Sequence, residues 1–349
     1  MSTIADVATR AGVSKATASR ALTGRGYVSD ETRVRVAQAA RELSYVAHSS
    51  ATSLATGRTQ TVGVVMPHVN RWFFAEVLEG IQLALLERGL DLTLYDATPG
   101  SASRRRVFED FLARRRFDGL IAVGLEPAES ELDALLALGK PVVSVIGTQQ
   151  STSVVTLDDS HAAVLATTHL IELGHRRIAF LGGTDATHWP HVESARYAGY
   201  EAEMRRAGLE GEITRTPAEL SMPAGYAAAV DLLSDAAARP TGIVAACDEV
   251  AIGAIIAARR LGILVPSTLS VVGIDDHVNA EMFSLTTLRQ VPREQGRAAV
   301  ELLVRHLGDP DAEPVTLSIK PRLVVRGTTA GGPGRTSAAV RDSGFAPQS

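Results

Sequence analysis

The sequence contains a single cysteine, Cys247, among its 349 residues. One cysteine excludes an intrachain disulfide framework and a cysteine-based zinc site. No segment approaches the roughly 18 consecutive apolar residues that a membrane-spanning helix requires. The first ten residues, MSTIADVATR, lack the apolar core of a secretory signal peptide. These absences lead us to expect a globular protein of the cytoplasm, with no membrane partner.

Charged residues are also modest in number, at 21% of the sequence, but they are unevenly placed. Residues 1–60 contain eight Lys and Arg against four Asp and Glu, for a net charge of +4. The remainder contains 27 against 35, for a net charge of −8. A basic head on an acidic body favours a polyanionic partner for the head, although a solvated charged face explains the charge alone equally well.

Residues 1–57 have the spacing of short helices. Thr3, Ser14 and Ser29 are suited to cap three helix N-termini, and Gly12 is suited to end the first helix. The expected apolar positions of the third helix are Val34, Ala37, Ala40, Leu43 and Tyr45. The first two helices and the turn at Gly12 therefore predict a helix-turn-helix.

The outer face of the second helix combines short side chains with cations. Its residues are Lys15, Ala16, Thr17, Ser19 and Arg20. Such a helix can enter a DNA major groove, about 12 Å wide, and reach the base edges. Thr3 and Ser14, at helix N-termini, suit phosphate contacts. A small helical subdomain with a polar face is the alternative interpretation.

After Thr61 short apolar runs alternate with amphipathic stretches, which predicts βαβ units and parallel sheets. The runs are TVGVVM, LDLTLY, DGLIAV, PVVSVI, RIAFLG, GIVAAC and LSVVGID. Their extent predicts two similar lobes. We divide the chain into a headpiece (1–46), a hinge and linker (47–59), a two-lobe body (60–329) and a Gly/Pro/Ser-rich tail (330–349) that we expect to be disordered. The fold class is a small all-α helix-turn-helix headpiece with an α/β body.

Several motifs carry a family resemblance: ADVATRAGVS, SRAL, VSDETRVRV, LGHRRIAFLGG and TTLRQ. On these residues the chain strongly resembles the LacI/GalR family of bacterial transcription regulators, from the headpiece to about Thr329. The resemblance implies a three-helix headpiece, a hinge helix near residues 49–55 and a body like periplasmic sugar-binding proteins, with a ligand between two lobes. It also implies a homodimer on double-stranded operator DNA.

Two hinge residues are assigned through the resemblance. Leu54 takes the place of the leucine that inserts into the minor groove, where an apolar wedge unstacks a base step and kinks the duplex. A lone leucine among Ser, Thr and Ala is a poor core residue, which favours the wedge. His48, in a segment that departs from the family pattern, is assigned a phosphate contact.

Candidate effector-binding residues follow the carboxyl ends of the predicted strands, where parallel sheets bind ligands. Aromatic rings suit the apolar faces of sugars, so Trp72 or Phe73 is expected in the cleft, with Phe74 partly buried. The resemblance assigns effector contacts to Arg196 and Asp248, and the structural alternatives are a surface arginine and a helix cap. The remaining candidates are Asp275, with a structural role as its alternative, and Gln290.

The combined prediction is a sequence-specific repressor of carbohydrate-utilisation genes, released from DNA by a sugar or oligosaccharide. The alternative is a transport-type sugar-binding protein without a regulatory role. No Gly-rich dinucleotide motif follows TVGVVM, and no P-loop, GxSxG or HExxH motif occurs, so we expect neither an enzyme nor a cofactor. No metal is assigned to the histidines, and His175 is expected to be structural.

The hinge assignment makes a direct prediction. Leu54→Ala should weaken operator affinity by several-fold or more, because the wedge that supports the kinked duplex is lost. Fluorescence anisotropy on operator DNA measures this, with ligand binding by the same variant as the control for folding. Unchanged operator affinity would remove Leu54 from the DNA interface.

Overall fold

The computed structural model describes residues 2–23, 26–45, 57–147, 152–183 and 191–333. His48, Leu54 and the expected hinge helix at residues 49–55 lie outside the described residues, as does His188. The roles assigned to His48 and Leu54 therefore stay predictions.

Three helices form the headpiece: α1 Ile4–Ala11, α2 Lys15–Thr23 and α3 Asp30–Glu42. Thr3 caps α1 in a capping box with Asp6, and Gly12 ends the helix in the left-handed conformation at φ 65°. The hydroxyl of Ser14 accepts a hydrogen bond from the Thr17 backbone at 3.0 Å. Ser29 accepts from Thr32 at the start of α3. The helix starts expected from sequence are therefore correct.

The headpiece has its own small core. Its buried residues are Val7, Ala8, Ala18, Val36, Ala39 and Ala40. Val34, expected in this core, is instead 62% exposed, because α3 presents Val36 and Ala39 to the other helices. The prediction that Val34 is buried was wrong. Val34 and Val36 are two residues apart and so lie about half a helical turn from one another on α3.

The N-terminal lobe is a six-stranded sheet with helices on both faces. Its first part comprises β1 Thr61–Met66, α4 Trp72–Leu86, β2 Asp91–Asp96, α5 Ala102–Arg106, a π-helical turn Val107–Phe111, a 3₁₀ turn Leu112–Arg114, β3 Gly119–Val123, α6 Glu129–Leu136, β4 Val142–Val145 and β5 Ser153–Leu157. The C-terminal lobe then begins.

The C-terminal lobe repeats the pattern around a second sheet. It comprises α7 Asp159–Glu172, β6 Ile178–Leu181, α8 His191–Arg206, a 3₁₀ turn Glu210–Glu212, β7 Thr214–Thr216, α9 Met222–Ser234, β8 Gly242–Ala245, α10 Asp248–Arg260, β9 Ser270–Asp275 and β10 Thr286–Arg289. The chain then returns through α11 Pro292–Gly308 and β11 Thr316–Ile319 to the first lobe, and ends with β12 Arg322–Val324 in the second.

The strand orders are β11-β5-β4-β3-β1-β2 and β12-β10-β9-β8-β6-β7. Every pairing is parallel except that of β10 with β12. Within the described ranges, the chain crosses between the lobes three times, after β5, after β10 and after β11. Each of the seven apolar runs named above contains a strand, and the prediction of two α/β lobes is confirmed.

Glycines allow the helices on these sheets to approach closely. A Cβ at Gly80 of α4 would overlap the carbonyl oxygen of Arg293, and one at Gly296 of α11 would overlap that of Val77. Gly199 makes the same kind of approach to Ser160, between α8 and α7. A larger side chain at these glycines would push the paired helices apart and displace a helix from its sheet.

Residues 330–332 require a correction to the expected tail. The Ala330 carbonyl accepts from the His175 ring at 3.1 Å, and the Gly332 amide donates to the Leu173 carbonyl at 2.8 Å. These contacts order the chain beyond the predicted boundary at 330. His175 is buried and also bonds Thr241 and Ser270, which supports the structural role expected for it.

The crossing of α4 and α11 yields a stability prediction. Gly80→Ala should lower the free energy of unfolding by about 1–3 kcal/mol, because the added methyl group overpacks the helix contact. Urea denaturation of the wild type and variant measures the difference. Gly308→Ala is the matched control, since a Cβ there has open space. Equal stability of both variants would contradict the close contact.

Candidate functional site

The outer face of α2 is accessible along its length. Ser14, Lys15, Ala16 and Arg20 are exposed, and Thr17 and Ser19 are half-buried. Ala18 points the other way and is fully buried. The structure thus places the predicted base-contacting residues together on one face, with no acidic residue in the first turn of the helix.

Thr3 and Ser14 already have roles within the headpiece. The Thr3 hydroxyl bonds Asp6 at 2.8 Å, and the Ser14 and Thr17 hydroxyls lie 2.8 Å apart. Both threonine and serine remain exposed at helix N-termini, where backbone N–H groups and the helix dipole favour an anion. Their contacts with phosphate stay predictions.

A cleft of about 1280 Å³ lies between the two lobes and is lined by residues that include the loops at the carboxyl ends of their strands. We call it the interlobe cleft. It contains Trp72, Phe73, Arg196, Asp275 and Gln290, five of the six residues expected to bind an effector. The effector contacts assigned to these residues stay predictions.

Three consecutive aromatic residues form one wall of the interlobe cleft, at the first turn of α4. Trp72, Phe73 and Phe74 all line it, and all are half-buried. The Phe73 and Phe74 rings meet edge to face with centroids 5.5 Å apart. Trp72 reaches across to the other lobe, where its ring lies 4.8 Å from that of His277. The cleft therefore has an apolar, aromatic surface opposite a polar one.

The polar wall is organised by Arg196, which is 4% exposed. Its guanidinium lies 2.8 Å from Asp159 and 3.5 Å from Asp275, and it also donates to the Ala246 carbonyl. Burial disfavours its charge, but the two carboxylates outweigh burial and hold the pKa of Arg196 above its usual value. The surface-arginine alternative is wrong, because α8 turns this residue into the protein.

Asp275 and Gln290 complete the polar wall. The Gln290 side-chain amide donates to Asp275 Oδ1 at 2.5 Å, and Gln295 donates to Gln290 Oε1 at 2.9 Å. Asp275 occupies a positive φ of 131°, a conformation rare for a residue with a Cβ. Burial raises the pKa of Asp275, against the opposing effect of Arg196. The carboxylate of Asp275 nevertheless belongs to the lining of the cleft.

Asp248 does not reach the interlobe cleft, which corrects its assignment as an effector ligand. It is fully buried; Oδ1 accepts from the Thr287 hydroxyl at 2.6 Å and Oδ2 from the His277 backbone at 2.7 Å. Burial raises its pKa. Its neighbours Cys247 and Glu249 line the cleft instead, because the first turn of α10 points Asp248 inward.

Sequence analysis missed several other cleft residues. Glu126 follows β3, a strand end that could have indicated it, and its carboxylate accepts from the His191 backbone of the other lobe at 2.6 Å. Arg104 lies far from any strand end in sequence and is held by two bonds to Glu131, at 2.7 and 2.8 Å. Only the folded chain brings Arg104 to the cleft, whereas the end of β3 could have indicated Glu126.

The cleft has an excess of negative charge. Among the described residues, its lining includes four arginines against seven carboxylates, which are Glu109, Glu126, Glu131, Glu193, Glu219, Glu249 and Asp275. Burial raises the pKa of Glu249, which Arg71 opposes from the other lobe. This balance disfavours an anionic ligand and suits a neutral molecule with hydroxyl donors.

Among the described residues, no group of three or more His, Cys, Asp or Glu is arranged to hold a metal ion. No helix within the described ranges has the length and apolar character needed to cross a bilayer.

The fold and these two sites define a class: a helix-turn-helix DNA-binding headpiece joined to a two-lobed ligand-binding body. Residues 3–48 match the description "Bacterial regulatory proteins, lacI family", and residues 167–329 match "Periplasmic binding protein-like domain". The HTH-type transcriptional repressor PurR of Vibrio campbellii is 32% identical over 346 residues, covering 94% of this chain and 98% of its own length.

Two solved structures agree. The transcriptional regulator CelR in complex with cellobiose is 30% identical, with a TM-score of 0.69 over 94% of this chain and 100% of its own. The lac repressor dimer bound to operator and the anti-inducer ONPF is 25% identical, with a TM-score of 0.83 over 94% and 99%. This chain belongs to the LacI family and is a DNA-binding transcriptional repressor, which confirms the prediction of a regulator rather than an enzyme.

The buried arginine gives a pH-dependent prediction. Arg196→Met should lower the free energy of unfolding by about 3–5 kcal/mol near neutral pH, because two buried carboxylates lose their counter-charge. Arg196 lowers the pKa values of both carboxyl groups against the effect of burial, so its removal raises them further. A carboxyl group with a raised folded-state pKa stabilises the fold at low pH, and this contribution is lost as pH rises through the folded-state value. The deficit should therefore narrow toward pH 5.

Urea denaturation at several pH values tests this, with Arg305→Met as a control at an exposed position. A deficit of the same size at every pH would show that the loss comes from packing rather than from charge.

Proposed function

We propose that this repressor binds operator DNA as a homodimer through α2 and is released by a neutral sugar or oligosaccharide in the interlobe cleft. The observation that carries the effector class is the pairing of an aromatic wall with a carboxylate-rich polar wall. Aromatic rings cover the apolar faces of a pyranose, while Asp275 accepts from hydroxyl groups. The genes it controls would then be those of carbohydrate use, and the protein would act in the cytoplasm.

The size of the cleft also supports a sugar larger than a single ring. Ligand pockets commonly measure about 300–1000 Å³. A cleft of about 1280 Å³ accommodates two or more sugar units. CelR, which shares 30% identity over 94% of this chain, was solved with cellobiose, a disaccharide.

Binding in the cleft can reach the DNA through the N-terminal lobe. The Thr59 backbone donates to Asp118 at 2.7 Å, and Arg58 donates to the Leu307 carbonyl of α11 at 3.2 Å. These contacts attach the end of the linker to the lobe whose wall carries the aromatic residues. A ligand that changes the angle between the lobes thereby changes the spacing of two headpieces, with a coupling of about 1–3 kcal/mol.

A dimer is supported by apolar surface on the C-terminal lobe. Val278 is 70% exposed and Met282 is 81% exposed, four residues apart in the segment after β9. Large exposed apolar groups favour an interface. Two-fold symmetry would then present two α2 helices to a pseudo-palindromic operator.

The test is fluorescence anisotropy of the full-length chain on DNA flanking its own gene, at fixed salt. The added compounds are cellobiose, ribose, glucose 6-phosphate and adenine, whose flat ring would also stack on the aromatic wall. We expect tight operator binding that a neutral sugar weakens. Release by adenine alone would replace the sugar with a nucleobase.

A variant tests whether release from operator DNA depends on the interlobe cleft. Phe73→Ala should leave operator affinity unchanged without sugar, and should raise the sugar concentration needed for release by about tenfold, because stacking area is lost. Leu83→Ala, an exposed position on the same helix, is the control. Sugar binding without any effect on operator affinity would show that the sugar is not the effector.

A further inference from the structure

A second cavity, of about 510 Å³, lies on the N-terminal lobe between β2 and residues 103–116. It shares no residue with the interlobe cleft. Three arginines line it, together with an aromatic pair and a few polar side chains. We call this the arginine cavity, after Arg106, Arg114 and Arg116.

The three guanidinium groups are exposed, and within the described chain none of them forms an ion pair or hydrogen bond with a protein group. Two of them share one ring instead: Arg106 lies 5.6 Å and Arg114 4.8 Å from the centroid of Phe111. Cation–π contact favours each guanidinium individually. The guanidinium groups repel one another, and a bound anion would relieve this repulsion.

An unusual backbone turn produces this convergence. Phe111 ends the π-helical turn Val107–Phe111, with Arg106 immediately before that turn and Arg114 at the end of the 3₁₀ turn that follows it. Such turns are rare and occur frequently at functional sites. The Phe111 ring also packs against Tyr95 of β2, at a centroid distance of 6.4 Å. The turn therefore connects the cationic groups to the edge strand of the sheet.

Tyr95 adds a hydrogen-bond donor. Burial raises the pKa of its hydroxyl, against opposing effects of Arg116 and Arg114, so the group is protonated at neutral pH and lies near both cations. Asp96 is the carboxylate among the described lining residues. Its Oδ1 accepts from the Thr98 backbone and hydroxyl at 3.1 and 2.7 Å. The formal charge of the lining is therefore positive.

We propose that the arginine cavity binds a phosphate dianion, either free or as the ester group of a small metabolite. Arginine presents planar, paired donors that match phosphate oxygens. The interlobe cleft has the opposite charge, so a phosphorylated compound is directed to the arginine cavity. The chain then has two ligand sites of different chemistry, one for a neutral polyol and one for an anion.

The two sites are separated by one helical segment. Ser103 and Arg106 line the arginine cavity, whereas Arg104, Arg105 and Glu109 line the interlobe cleft. A ligand that orders one face of this segment acts on residues of the other face. The arginine cavity is thus placed to adjust the response to the effector.

Isothermal titration calorimetry of the full-length protein tests the proposal, with glucose 6-phosphate, inorganic phosphate and glucose as probes at constant ionic strength. The variant Arg114→Gln/Arg116→Gln should weaken binding of the phosphate probe by about tenfold or more, because charge-assisted bonds are lost. Arg305→Gln/Arg322→Gln removes the same charge at exposed positions elsewhere and should leave binding unchanged.

A second variant, Tyr95→Phe, removes the hydroxyl while it keeps the ring, and should weaken the same binding. Glucose 6-phosphate bound more tightly than inorganic phosphate identifies an ester as the ligand, and equal affinities identify free phosphate. The proposal is overturned if neither probe binds with a dissociation constant below about 10 mM. It is also overturned if the double arginine variant binds as the wild type does.

Discussion

The buried guanidinium of Arg196 is the interaction on which the ligand-binding body most depends. It connects α8 to Asp159, at the start of α7 just after the first crossover, and to Asp275, at the end of β9. Isolated buried charges are very costly, so the guanidinium and the two carboxylates stabilise one another's charged forms. The same network presents Asp275 and Gln290 to the cleft, so a stabilising contact also organises the ligand site.

Close packing sets the limits within which the lobes can move. Glycines at the crossings of α4 with α11 and of α7 with α8 bring backbone against backbone, and each lobe therefore behaves as a dense unit. Contacts across the cleft are fewer and more polar, such as Glu126 with the His191 backbone and Trp72 with His277. Opening and closing between rigid lobes is the motion that this distribution of contacts favours.

The three surfaces to which we assign binding roles differ in charge. The α2 face is short-chained and basic, the interlobe cleft is lined with an excess of carboxylates, and the arginine cavity is cationic. Each surface selects a different chemistry by the sign of its field and by the shape of its donors. A net charge of −4 for the whole chain conceals this division.

Local features determined much that could be predicted from sequence: the caps at Thr3 and Ser14, the turn at Gly12 and the apolar runs of seven strands all depend on residues close along the chain. The sequence predictions that were wrong concern positions whose surroundings are residues far apart along the chain. Asp248 begins the helix after β8 and Asp275 ends β9, yet the packing of Thr287 and His277 around Asp248 keeps it out of the cleft, whereas Asp275 lines the cleft. Burial and orientation are set by neighbours from other elements, so they were decided by the tertiary structure.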